Sequence, residues 1–108
     1  MNTLLPLDSL ETLEHLLGAK ERVVFFKHST RCPVSTSAEE RVSDYVRQHG
    51  AVIHLVDVLR SRPLSNLLAE RLRVRHESPQ LLIVQNGRCL AHASHDGIDE
   101  AFLAQQLG

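Results

Sequence analysis

The stretch FFKHSTRCPVST, residues 25–36, runs from an apolar segment through a polar loop to a cysteine followed by a proline. With its upstream neighbours it reads RVVFFK, residues 22–27, a continuous apolar run carrying β-branched and aromatic residues. That pattern predicts a strand buried on both faces. Pro33 suits a first helical position, where its missing N–H costs nothing. The stretch therefore reads as strand, loop and helix, with Cys32 in the loop. In an open α/β sheet the carboxyl ends of strands are where ligands and chemistry collect. Many redox enzymes carry a second cysteine three residues after the first, and here that place is Ser35.

Outward from this stretch the chain alternates between two apolar periods. DSLETLEHLLGA places Leu10, Leu13, Leu16 and Leu17 on one helical face. Asp8 with Glu11 is a capping-box-like start, and Gly18 is a stop. A helix from about residue 32 or 36 to His49 presents Ala38, Val42, Tyr45 and Val46, and Gly50 ends it. AVIHLVDV is a second buried strand. SRPLSNLLAERL is a helix opened by Pro63, with Leu64, Leu67, Leu68 and Leu72 at helical spacing. QLLIV and RCLAHA are strands joined through Asn86-Gly87, a strong hairpin signal. GIDEAFLAQQL closes the chain as a helix with Ile98, Ala101 and Phe102 inward. Strands joined by a helix should run parallel, and the hairpin antiparallel. The expectation is α/β: a mixed four-stranded sheet with helices on both faces, an order resembling the thioredoxin-like fold.

The chain has 108 residues, the length of a single domain over 1–108. Hydrophobic residues are 43% and charged residues 23%, ordinary for a globular protein. A net charge of −1, few aromatics and no tryptophan give no nucleic-acid footprint. No apolar run approaches a membrane span, and MNTLLPLDSL has no signal-peptide pattern. Two distant cysteines without an export signal point to a reducing cytoplasm and free thiols. The expected state is a monomer.

A helix starting at Pro33 would turn free N–H groups and its dipole toward Cys32 and favour the thiolate. Lys27, His28 and Arg31 add positive charge in the sequence nearby. Thr36 with Glu39, or Ser37 with Glu40, would cap a later start and leave Cys32 on a loop. Cys32 sits in a polar loop, which argues against an inert core thiol. Cys89 lies within a strand and reads as a buried one.

FFKHSTRCPVS, HESPQLLIVQNGR and HASH together resemble the YtxJ family, the monothiol bacilliredoxins called BrxC, over nearly the whole chain. The family pattern Thr-Cys-Pro-Ile-Ser reads here Arg31-Cys32-Pro33-Val34-Ser35. Arg31 is the departure in charge. The resemblance implies a thioredoxin fold and a cytoplasmic enzyme. That enzyme would take bacillithiol off S-thiolated proteins, with the small thiol as co-substrate and no bound cofactor. Cys32 would be the nucleophile. With Ser35 in the resolving position, a second small thiol must release it. Ser35 is expected to donate a hydrogen bond to the thiolate, or merely to cap the helix or face solvent. Thioredoxins carry a buried acid six residues before the nucleophile, and here that residue is Phe26.

Pro79 resembles the cis-proline of thioredoxin-fold proteins, with the backbone of Ser78 pairing with substrate. Ser94, His95 and Asp96 resemble the corner where glutaredoxins hold glutathione on backbone N–H groups. Asp96 as a plain helix cap is the alternative. Cys89, His92 and His95 invite a metal reading. Strand alternation sends Cys89 and His92 to opposite faces, so no metal site is expected. His54 reads as structural, and His15, His49 and His76 as surface residues. Two other functions keep the same loop: a glutaredoxin-like reductase using glutathione or another small thiol, and a redox sensor or binding module without turnover.

Overall fold

The computed structural model describes residues 4–107. Two apolar layers sandwich a five-stranded sheet in the order β1-β3-β2-β4-β5. The strands are β1 (Leu4–Pro6), β2 (Val23–His28), β3 (Ile53–Asp57), β4 (Gln80–Gln85) and β5 (Arg88–Ser94). The helices are α1 (Leu10–Leu17), α2 (Pro33–His49), α3 (Arg62–Leu72) and α4 (Glu100–Leu107), with a 3₁₀ turn at His95–Gly97. β1 and β2 each pair with β3 in parallel, while β4 runs antiparallel to both β2 and β5.

The alternation of β2 explains the layering. Val23 and Phe25 join Leu13, Leu64 and Leu68 of α1 and α3 on one face. Val24 and Phe26 join Ala38 and Val42 of α2, with Leu103 of α4, on the other. A strand buried on both faces must read as an unbroken apolar run, which is why RVVFFK stood out.

The sheet has five strands where four were expected. Leu-Leu-Pro at residues 4–6 is only three residues long and carries no alternation. It becomes a strand because Leu4, Leu5 and Pro6 lie beside Ile53, His54 and Leu55 of β3. Pro6 is tolerated on the sheet edge, where a missing N–H breaks no ladder.

Helix ends differ in detail. Ser9, not Asp8, caps α1, its Oγ accepting from Thr12 N–H at 3.3 Å. Gly50 closes α2 at φ 73°, and Asn86 and Gly87 turn the hairpin at φ 53° and 74°. Ile98 is buried as expected, but Ala101 is exposed and Leu103 takes the inward place. Among the described residues no helix is long and apolar enough to cross a membrane.

Candidate active site

β2 delivers the chain to the site, and its last residue, His28, is tied to the next loop. Val58 N–H donates to His28 O at 3.0 Å, joining the loops that follow β2 and β3. Ser29, Thr30 and Arg31 then turn the chain, with Cys32 N–H donating to Ser29 O at 3.3 Å. The helix starts at Pro33, the earlier of the two possible starts. Cys32 is its N-cap, in extended conformation at φ −109° and ψ 119°, with no side-chain cap. Its carbonyl accepts the first helical bond from Thr36 N–H at 3.0 Å. The N–H groups of Val34 and Ser35 have no acceptor within the helix, and their positive end faces the Cys32 position. A helix N-terminus of this kind is a general setting of reactive cysteines.

Ser35 neither faces solvent nor reaches the thiol. It is 0% exposed. Its Oγ accepts from Ser29 N–H at 2.9 Å and lies 2.9 Å from His28 Nδ1. The imidazole tautomer decides which of the two groups donates across the His28–Ser35 contact, and either choice keeps the bond. The hydroxyl thus clamps the end of β2 and the start of the loop to the third residue of α2. His28, 9% exposed, stacks on Phe26 at 5.8 Å between ring centroids. An apolar ring and a histidine therefore stand where a buried acid would serve a resolving thiol.

Lys27 does not add charge to this loop. Strand alternation turns it to the opposite face of the sheet, where its Nζ lies 3.1 Å from His76 Nδ1. Arg31 stays exposed on the loop, its N–H 3.4 Å from Ser29 Oγ.

The other expected elements meet at the same end of the sheet. The Ser78–Pro79 bond is cis. Pro79 O accepts from His95 N–H at 3.0 Å, so the segment before β4 and the corner after β5 are one backbone-bonded unit. The 94–96 corner does not open α4 but a separate 3₁₀ turn. α4 begins at Glu100 and is capped by Asp99, whose Oδ1 accepts from Phe102 N–H at 2.8 Å. Ser94 ends β5, and His95 (φ 55°) and Asp96 enter the 3₁₀ turn. The His95 N–H is already committed to Pro79, so its donor is not free for a ligand. Arg41 of α2 holds this corner: its Nε donates to Ile98 O at 2.7 Å and its guanidinium reaches His95 O at 3.4 Å. Nothing in the spacing of α2 marks Arg41, since its targets lie far along the chain.

Cys89 stands at the other end. It follows the hairpin turn and pairs with Val84, which in turn pairs with Val23 at the start of β2. The length of β2, roughly 20 Å, separates it from the Cys32 loop. Its thiol donates to Ala91 O at 3.4 Å, and burial pushes it up from the ordinary thiol range. The alternation expected for Cys89 and His92 fails, because a bulge at Leu90 resets the strand. Cys89 packs with the α1/α3 layer, and His92, opposite Leu82, faces that same side. Among the described residues no three His, Cys, Asp or Glu side chains are grouped to hold a metal ion. His54 is half-buried with its ring 6.0 Å from Phe25, and burial lowers its pKa.

Comparison with known proteins bears on the family and the fold. The family described as monothiol bacilliredoxin BrxC matches residues 5–103. One solved protein, described provisionally as an oxidoreductase with a thioredoxin fold, superposes at a TM-score of 0.89 and 27% identity. That match covers 98% of this chain and 95% of the other. Thioredoxin from Trypanosoma brucei brucei superposes at 0.78 with 16% identity, covering 98% and 88%. Thioredoxin from Malassezia sympodialis does so at 0.76 with 16% identity, covering 100% and 94%. The two thioredoxins share the fold.

Proposed function

This chain belongs to the monothiol bacilliredoxin family, and on that premise we propose that it is a thiol-disulfide oxidoreductase that removes bacillithiol from S-thiolated proteins. The observation that carries the reading is Cys32 at the uncapped N-terminus of a 17-residue helix, with a buried serine, bonded elsewhere, in the resolving place. The Cys32 thiolate attacks the bacillithiol sulfur of a protein mixed disulfide. The protein cysteine leaves as a thiolate and takes up a proton, and Cys32 holds bacillithiol in a new disulfide. A second bacillithiol, as thiolate, attacks that bacillithiol sulfur and expels Cys32. The sum converts one protein mixed disulfide and one thiol into a protein thiol and a symmetric disulfide.

The monothiol course is supported by distance, since Cys89 lies at the far end of β2 and cannot close a disulfide with Cys32. Val34 and Leu59, each 42% exposed, offer apolar contact for a target protein beside the loop. The backbone of Ser78 beside the cis bond to Pro79 is the substrate contact of this reading, with Ser94 and Asp96 flanking it, while the His95 N–H stays bonded to Pro79 O. We place the protein in the cytoplasm, where both cysteines stay free.

A protein carrying a bacillithiol mixed disulfide is incubated with wild type, Cys32→Ser and Cys89→Ser, and intact masses are followed. Wild type and Cys89→Ser should free the target and gain one bacillithiol, while Cys32→Ser should do neither. A target that stays modified, or a fully active Cys32→Ser, sinks the mechanism. Capture of bacillithiol without turnover when more is added would make the protein a sensor. Faster turnover with a glutathione mixed disulfide would reassign the small thiol.

A further inference from the structure

Lys27 is a fully buried lysine (0% exposed) near the end of the central strand, on the face away from Cys32. Among the described residues no carboxylate forms an ion pair with it. Its hydrogen-bond partner is His76 Nδ1 at 3.1 Å, and Ser65 Oγ of α3 lies 3.3 Å from the same nitrogen. His76 stands three residues before Pro79. Across the β2–β4 ladder the register partner of Lys27 is Gln80, the residue after Pro79. Gln80 is 1% exposed, and its Nε2 donates to Arg75 O at 2.9 Å. Gln80 Oε1 and Ser78 Oγ are buried with no hydrogen-bond partner. Residues 75–80, which carry the proposed substrate backbone at Ser78, are thus tied to the sheet interior by the Lys27–His76 contact and within themselves by the Gln80–Arg75 bond.

An unpaired buried ammonium costs free energy, and a fold seeking stability alone would place an apolar side chain there. Lysine brings what an apolar chain lacks: a donor that reaches His76 Nδ1 from the sheet interior. Burial lowers Lys27 to about 8, so at neutral pH it is still largely charged and donates to His76. That fixes the His76 proton on Nε2. Burial first, then Lys27 and Arg62, lower His76, and Glu77 opposes them. A neutral His76 is the acceptor Lys27 needs.

We propose that Lys27 is a positioning residue for the thiol-exchange reaction: through His76 it holds the segment bearing Ser78 and Pro79 where a target peptide pairs with it. The assignment rests on the reductase reading above. It implies that Lys27 governs how well an extended peptide is held, and not how reactive Cys32 is.

The test uses two substrates in a Cys89→Ser background. One is a short peptide with a central cysteine in mixed disulfide with bacillithiol. The other is 2,2′-dithiodipyridine, a small neutral disulfide with no peptide backbone to pair. Lys27→Met keeps the volume and removes the donors, and Ser65 remains to donate to His76. The peptide reaction should show KM raised about tenfold with kcat little changed, while the dithiodipyridine rate and the rate of Cys32 alkylation stay at wild-type values. His76→Ala, at an exposed position, should show the same peptide-selective loss and guards against a Lys27 variant that fails to fold. Equal losses on both substrates would make Lys27 merely structural, and an unchanged peptide KM in both variants would also overturn the assignment. A wild type active on dithiodipyridine but inert on the peptide would sink the reductase reading, and the Lys27 assignment with it.

Discussion

A hydroxyl at position 35 does more than remove a thiol. In a two-cysteine site the third residue of the helix must be free to reach its partner sulfur. Here Ser35 is sealed and spends both hydrogen bonds on Ser29 and His28. Ser35→Ala would leave the Ser29 amide and His28 Nδ1 without their partner in a buried setting. The expected cost is about 1–3 kcal/mol. It should appear as a lower urea midpoint at unchanged slope, and no shift would mean that the hydroxyl does not clamp the loop. The identity of Ser35 was plain in the sequence, but its partner was not. His28 lies seven residues earlier, and only the turn at residues 29–32 brings the two together. Lys27 shows the same limit. Its sequence neighbour His28 faces α2, while Lys27 faces α3, because one residue along a strand reverses the side-chain direction.

Element by element, long apolar periods were read correctly and short or interrupted ones were not. β2, α2, α3 and the hairpin follow from continuous runs, helical spacing, Pro63 and Asn86-Gly87. β1 escaped notice because three residues carry no period, and only pairing with β3 makes them a strand. The bulge at Leu90 broke an alternation argument that was sound for a regular strand. The start of α4 was placed too early: Asp99, three residues beyond Asp96, is the residue that caps it. Asp99→Ala should cost roughly 1 kcal/mol, the usual loss for a removed cap. Amide hydrogen exchange should quicken in residues 100–103 and hardly change in α2, and equal protection in both would show that the cap is idle.

For the whole molecule the buried lysine makes stability depend on pH. The folded value of Lys27 is lowered to about 8 from 10.5. Below about 8 both folded and unfolded chains hold the proton, and the burial penalty is present in full. Between about 8 and 10.5 the unfolded chain binds more protons, so stability rises with pH across that window. The gain approaches about 3 kcal/mol for an ammonium sealed from water and is smaller where water reaches it. Cys89 works the other way, since its raised value makes stability fall as it ionises. The clean measurement is therefore the difference in melting temperature between wild type and Lys27→Met from pH 7 to 10.5. Lys27→Met should be the more stable at pH 7, and the gap should close as pH rises. A constant gap would show that Lys27 titrates normally.

Cys32 with Pro33 after an apolar run located the candidate thiol and the strand that delivers it, because composition and period are local properties of the chain. Pro79 and the 94–96 corner were marked only by their resemblance to thioredoxin-fold proteins, and strand direction puts both at the end of the sheet where Cys32 lies. Tertiary structure decided what those residues touch. It gave Ser35 to His28, His95 to Pro79, Arg41 to the corner and Lys27 to His76, and it set Cys89 a full strand away from Cys32. Each of these contacts joins residues whose separation along the chain is unrelated to their separation in space, so packing of the helices on the sheet, not any local preference, determines them.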